Sequence, residues 1–209
     1  MPRRRSAIAA TTLAAAVAVV TATPAAAYPP DPPGESAARQ HLAALTVAAE
    51  GSMAGYDREK FPHWSSRSGN CDTRESVLGR DGVNVTTGSD CYPDTGRWYS
   101  VYDQQWVEDP SDVHIDHVVA LAEAWRSGAD DWSTAKRENF ANDMSTQQLI
   151  AVSGESNMSK SDEDPAQWLP DNNGYYCMYA RSWINVKYSW NLTVNPAEQD
   201  ALSSLLDTC

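Results

Sequence analysis

Basic residues, histidines, cysteines and long apolar runs are all scarce in this sequence. After residue 27 no segment is apolar enough to span a bilayer, so we expect no membrane anchor in the mature protein. Only 16 Lys and Arg stand against 28 Asp and Glu. This balance argues against a large basic surface for nucleic acid, because such affinity normally comes from Lys and Arg at phosphates. A local basic groove around a metal stays open.

The one extended apolar stretch lies at the N-terminus, "MPRRRSAIAATTLAAAVAVVTATPAAAYPP". A basic start, a short apolar run and small residues before Tyr28 predict a secretory signal peptide over residues 1–27. The arginines Arg3 to Arg5 leave twin-arginine export open, although the general route is favoured. The prediction is a secreted, extracellular protein with a proline-rich, mobile leader (residues 28–35) and a single domain (residues 36–209). Cleavage would leave 13 basic against 28 acidic residues, a net charge of −15.

Four cysteines remain in an oxidising compartment, which predicts two disulfides. Three pairings are possible. Pairing sequence neighbours favours Cys71 with Cys91 and Cys177 with Cys209, the second of which would tie down the chain end. A zinc site is the alternative, but the cysteines form no close pairs and the histidines lie elsewhere.

Helix and strand signals are mixed along the chain, and the prediction is an α+β fold. Ser36 could cap a helix that ends near Gly51, whereas "VNVTT" and "RWYSVYD" have strand character. A helix near residues 121–127 would end at Gly128, Ser133 would cap another, and "QQLIAV" predicts a strand. Near the C-terminus, Asn195, Pro196 and Glu198 form a capping-box start.

The stretch "DVHIDHVVAL" (residues 112–121) holds two of the four histidines. In a strand, His114 and Asp116 would share one face and His117 the other. A strand end or a kink would therefore be needed to bring Asp116 and His117 to one site. A buried histidine with a satisfied hydrogen bond is the structural alternative.

The ordered series "DHVVALAEAWRSGA", "RENFAND", "LIAV" and "SNMSKSDEDPAQWLP" resembles the HNH endonucleases, also called ββα-metal or His-Me finger nucleases, and especially their secreted bacterial branch. The resemblance runs from about residue 56 to residue 209. It implies a ββα-metal core at about residues 112–165, embedded in additional helices and short strands and stapled by the disulfides. It also implies a metal-dependent endonuclease that hydrolyses DNA, with RNA as an alternative substrate, and with little sequence specificity.

The resemblance also assigns roles to single residues. His117 matches the general base that activates water, and Asn142 matches the position that orients it. Asp116 and Asn157 match the ligands of one divalent cation, for which Mg²⁺ fits best and Mn²⁺ is an alternative. Five basic residues are candidate phosphate contacts: Lys160, Arg74, Arg80, Arg126 and Arg137.

Two other functional classes stay open. A cell-wall or polysaccharide hydrolase would suit the acidic charge and the eight tryptophans, and would use a pair of carboxyl groups instead of a histidine. A disulfide-stapled binding module without activity is the other. The expected partner is nucleic acid, and the chain is expected to be a monomer.

Overall fold

The structure is a computed structural model that describes residue 1 and residues 28–209. The predicted signal peptide lies outside the described residues. The helices are α1 (Glu35–Ala44), α2 (Thr73–Asp81), α3 (Leu121–Arg126), α4 (Thr134–Ala141), α5 (Gly154–Lys160), α6 (Tyr176–Trp190) and α7 (Pro196–Leu206). The strands are β1 (Val83–Thr87), β2 (Pro93–Ser100), β3 (Gln105–Val107), β4 (Val113–His117) and β5 (Leu149–Ser153). The α+β prediction is therefore confirmed.

Two small antiparallel sheets organise the strands. The first has the order β1, β2, β3, and the second pairs β4 with β5. Helices α3 and α4 lie between β4 and β5 in the chain, and α5 follows β5 directly and packs on both strands. The second sheet and α5 therefore form a strand, strand, helix unit.

The sheet of β4 and β5 is covered on both faces. Ile150 and Val152 pack into the main core with the helices α1, α3, α6 and α7. On the other face, Ile115 and Ala151 pack with the buried Trp98 and with α2. Because both faces are buried, every residue of β5 is buried. Such a strand reads as one continuous apolar run.

Both predicted disulfides are confirmed. Cys71 pairs with Cys91, which joins the start of α2 to the turn before β2. Cys177 pairs with Cys209, which fastens the chain end to the first turn of α6. None of the four cysteines is free for zinc.

The helix ends that were predicted from capping residues are found, with one exception. Ser133 caps α4, and Asn195 and Glu198 form a capping box at α7. Gly128 follows α3 with φ 106°, a left-handed conformation that favours glycine. The prediction for α1 is wrong at both ends, because it begins at Glu35 and stops at Ala44. The chain then turns extended, and Val47 forms a parallel bridge with Val194.

The proline-rich leader is docked on the domain, so the prediction that it is mobile is wrong. Gln147 donates to the carbonyl of Pro30 at 2.6 Å. The guanidinium of Arg181, on α6, donates to the carbonyls of Pro32 and Pro33, each at 2.8 Å. Proline has no backbone N–H, so a proline-rich segment has few donors for its own carbonyls. Side chains of the domain can therefore bind these carbonyls. Among residues 28–209, no helix has the length and apolar character needed to cross a bilayer.

Candidate active site

An open pocket of about 390 Å³ lies at the end of β4. Asp116, His117 and Asn157 line it together. Asp116 and His117 face opposite sides of the strand, but His117 is the last residue of β4, and both reach the same pocket there. The strand end required by the sequence pattern is therefore present.

His117 is held in one orientation and is neutral. Its Nε2 lies 2.9 Å from the carbonyl oxygen of Ala141, the last residue of α4. A carbonyl oxygen only accepts hydrogen bonds, so we assign the proton to Nε2 and the lone pair to Nδ1. Burial lowers the pKa of His117 to about 3. The ring therefore offers an unprotonated Nδ1, the form that a general base needs.

Asp116 is buried and bound on both carboxylate oxygens. Its Oδ1 accepts from Lys160 at 2.9 Å, and its Oδ2 accepts from the hydroxyl of Tyr102 at 2.7 Å. Burial raises the pKa of the Asp116 carboxyl, and Lys160 and Tyr102 oppose that rise. Burial also keeps Tyr102 protonated, because it raises the pKa of the phenol well above its ordinary value.

Asn157 lies on α5 and is oriented by His114. Its Nδ2 lies 3.1 Å from His114 Nδ1, which must then be the acceptor. His114 in turn packs against the start of α5, where a side chain at Gly154 would come within 3.1 Å of its Nε2. His114 therefore contacts the amide nitrogen of Asn157. The amide oxygen of Asn157 takes no part in this contact.

Asn142 holds the wall next to His117, by which we mean residues 62–65 together with the end of α4. Its Oδ1 accepts from the backbone N–H of Ser65 at 2.9 Å, and its Nδ2 donates to the carbonyl of Pro62 at 2.9 Å. Asn142 directly follows Ala141, whose carbonyl binds His117. Asn142 thus fixes the segment of residues 62–65 to the end of α4 and does not itself line the pocket.

The five predicted phosphate contacts do not line the pocket. Lys160 is fully buried against Asp116, and Arg80 pairs with Asp81. Arg74 and Arg137 donate to backbone carbonyls, and Arg126 pairs with Glu123 and Asp162. Each cation is committed to a partner within the protein. This geometry gives no support to a direct phosphate contact by any of them.

Two residues that sequence reasoning missed lie at the site. Arg58 lines the pocket from a short 3₁₀ turn, Arg58–Lys60. The ring of Trp64 lies over His117, with centroids 5.6 Å apart and an angle of 28° between the planes. Trp64 has φ 61°, a strained conformation for a bulky residue. Both lie in a loop-rich segment before α2 without a periodic pattern, so no sequence signal marked them.

The donor set of the pocket fits one hard cation with few protein ligands. Asp116 and Asn157 offer oxygen atoms, which Mg²⁺ and Mn²⁺ prefer. Each carboxylate oxygen has two lone pairs, so Asp116 keeps acceptor capacity beside Lys160 and Tyr102. Within the described residues no group of three His, Cys, Asp or Glu side chains could form a metal cluster. Water and substrate would have to complete the shell.

Comparison with known proteins decides the family. Residues 83–205 match the model described as "GmrSD restriction endonucleases, C-terminal domain". The chain belongs to this family. The match includes Asp116, His117, Asn142 and Asn157, whereas Arg58 and Trp64 lie before it. No solved structure matches the chain.

A secreted relative is also found. An uncharacterized secreted protein of Arthroderma benhamiae is 49% identical over 174 residues, which is 83% of this chain and 85% of the relative. This relative and the two disulfides confirm the prediction of a secreted, extracellular protein. The resemblance to a bacterial branch is not confirmed, and this relative is fungal.

Proposed function

We propose that this protein is a secreted, metal-dependent HNH endonuclease that hydrolyses phosphodiester bonds of DNA or RNA with little sequence specificity. The observation that carries the proposal is His117, with Nε2 held by Ala141 and Nδ1 left as acceptor in a pocket shared with Asp116 and Asn157. Membership in a restriction endonuclease family supports a nuclease-type activity. In this proposal β4, β5 and α5 form the ββα-metal core.

The residues would divide the chemistry as follows. His117 Nδ1 accepts a proton from water, and the resulting hydroxide attacks phosphorus while the bond to the 3′ oxygen breaks. Asp116 and Asn157 would hold a divalent cation, most readily Mg²⁺, which would stabilise the charge on the phosphate and on the departing oxygen. Lys160 holds the Asp116 carboxylate in place, and Ala141 fixes the tautomer and direction of His117.

A polysaccharide hydrolase fits the pocket less well. Such an enzyme needs two carboxyl groups free to act as acid and as base or nucleophile. The two carboxylates that line the pocket are Asp116 and Asp162. Asp116 is paired with Lys160 and Asp162 with Arg126, so each is committed to a cation.

Plasmid cleavage by the purified mature protein tests the proposal. We expect nicking and linearisation with Mg²⁺ or Mn²⁺, none in EDTA, and a loss of at least about 100-fold in His117→Ala, the usual contribution of a general base. His41→Ala is the matched control, because His41 stacks on Tyr188 away from the pocket. Full activity in His117→Ala, or hydrolysis of a cell-wall polysaccharide without nuclease activity, would overturn the proposal.

A further inference from the structure

The pocket lining holds three charged residues, Arg58, Asp116 and Asp162. Asp116 has its own buried cation, Lys160, and Asp162 lies 2.6 Å from the guanidinium of Arg126. Arg58 is the remaining charged residue of the lining, it is exposed, and it forms no ion pair within the described residues. Arg58 is therefore the cation of the lining that is left to bind an anion in this strongly acidic protein.

Arg58 is presented by a firmly anchored turn. Asp57 caps the turn through the backbone N–H of Glu59, and Tyr56 packs edge-on against Trp125. On the other side, Phe61 is fully buried in the main core. A guanidinium on an anchored turn loses less freedom on binding an anion than one on a free loop.

Arg58 lines the same pocket as the proposed reaction centre. That centre consists of Asp116, His117 and Asn157, which line the pocket together. A phosphate bound there would therefore meet the Arg58 guanidinium in the same cavity as the reacting groups.

We propose that Arg58 binds a backbone phosphate of the nucleic-acid substrate and is the residue that lets this acidic protein hold a polyanion. The proposal rests on the proposed nuclease function and adds a substrate contact to it. A guanidinium can donate two parallel hydrogen bonds to phosphate oxygens, which a neutral side chain cannot replace. A single such contact, unlike a basic surface, gives weak and sequence-independent binding.

Binding of a short single-stranded oligonucleotide to the His117→Ala protein tests this without cleavage. Fluorescence anisotropy at several KCl concentrations would compare Arg58→Gln and Arg58→Lys in that background. We expect Arg58→Gln to weaken binding about tenfold. The slope of log affinity against log salt should fall by about 0.7, the loss of one phosphate contact to a single strand. Arg58→Lys should keep most of the slope.

Arg97→Gln is the charge-matched control. Arg97 is exposed and stacks over Trp106 on the β2–β3 sheet, away from the pocket lining. If Arg58→Gln and Arg97→Gln weaken binding equally, only the net charge matters and the proposal fails. Unaltered melting temperatures will show that both variants fold.

The two proposals can fail separately. Cleavage by the wild-type protein with unchanged KM and salt slope in Arg58→Gln would remove the phosphate contact and leave the nuclease function standing. Oligonucleotide binding that depends on Arg58 in a wild-type protein without cleavage would keep the contact and remove the nuclease function. Absence of binding to DNA and RNA oligonucleotides would overturn the contact directly.

Discussion

At the scale of single residues, the site depends on side chains that do not line the pocket. Asn142 is the clearest case, because it is buried and its hydrogen bonds fix the wall next to His117. Its backbone also continues from Ala141, which accepts the hydrogen bond of His117 Nε2. Asn142 is therefore a positioning residue in the proposed mechanism.

Asn142→Ala should lower kcat more than it raises KM. The substitution leaves the N–H of Ser65 and the carbonyl of Pro62 without their partner, which costs about 1–3 kcal/mol of unfolding free energy. His117 then loses its fixed orientation, so chemistry slows while the phosphate contact remains. Denaturant melts and steady-state cleavage kinetics would measure the two effects.

Asn185→Ala is the matched control for that variant. Asn185 also donates a partly buried side-chain hydrogen bond, to Gln147, but lies away from the pocket lining. It should lose stability without a specific fall in kcat. An Asn142→Ala protein with normal kcat would show that the wall does not position His117.

Sequence reasoning located side chains better than it located the backbone groups that hold them. The strand alternation of "HIDH" correctly placed Asp116 and His117 on opposite faces, because that period follows from strand geometry. The acceptor of His117 is a main-chain carbonyl 24 residues away, and any residue type can provide one. For Lys160 the local spacing was misleading. Its position three residues after Asn157 suggested a substrate contact, but tertiary packing buries Lys160 against Asp116.

At the scale of elements, a buried ionic cluster joins three helices. Lys187 on α6 donates to Glu123 on α3 and to Glu198 on α7, each at 2.8 Å, and all three side chains are fully buried. Burial raises the pKa of Glu198 to about 7, and the nearby Glu123 contributes while Lys187 opposes. The junction therefore places two carboxylates around one ammonium, and Glu123 is also paired with Arg126 whereas Glu198 has only Lys187 among the ion pairs of the described residues.

This cluster should make stability depend on pH. Because the pKa of Glu198 is higher in the folded state than its ordinary value of 4.5, the folded protein holds more protons between about pH 4.5 and 7. Its contribution to the unfolding free energy is complete below about pH 4.5 and is lost as the pH rises through 7, by on the order of 3 kcal/mol.

Glu198→Gln should flatten this pH dependence. Denaturant melts at pH 5, 6, 7 and 8 would measure it, with Glu155→Gln as control, because Glu155 is exposed on α5 and has no ion pair within the described residues. The control should keep the wild-type slope. An unchanged slope in Glu198→Gln would assign the pH dependence to other groups.

The elements themselves were mostly predictable where capping residues mark the ends. Ser133, Asn195 and Gly128 each lie at the predicted boundary, since each satisfies backbone groups locally. The leader was not predictable in this way. Its proline content suggested a free segment, but it is docked through Gln147 and Arg181, which are more than a hundred residues away.

At the scale of the whole molecule, we expect folding not to depend on the proposed cation. The negative charge of Asp116 is already balanced by the buried Lys160, with a further hydrogen bond from Tyr102. A buried carboxylate without such a partner would cost several kcal/mol. Two disulfides and a continuous apolar core hold the helices around the β4–β5 sheet.

Removal of divalent cations should therefore separate activity from stability. After EDTA treatment we expect cleavage to be lost and the melting temperature to stay within about 2 °C of its untreated value, because few protein ligands bind the ion weakly and add little by mass action. Added Mg²⁺ should restore cleavage. A plasmid assay and a thermal melt on the same sample would measure cleavage and melting temperature. Ca²⁺, which also binds oxygen ligands, would serve as a comparison cation.

A large fall in melting temperature would assign the metal a structural role, which two oxygen ligands and a neutralised carboxylate do not support. Undiminished cleavage in EDTA would contradict the metal-dependent mechanism. The role of His117 as general base would then be tested without a metal.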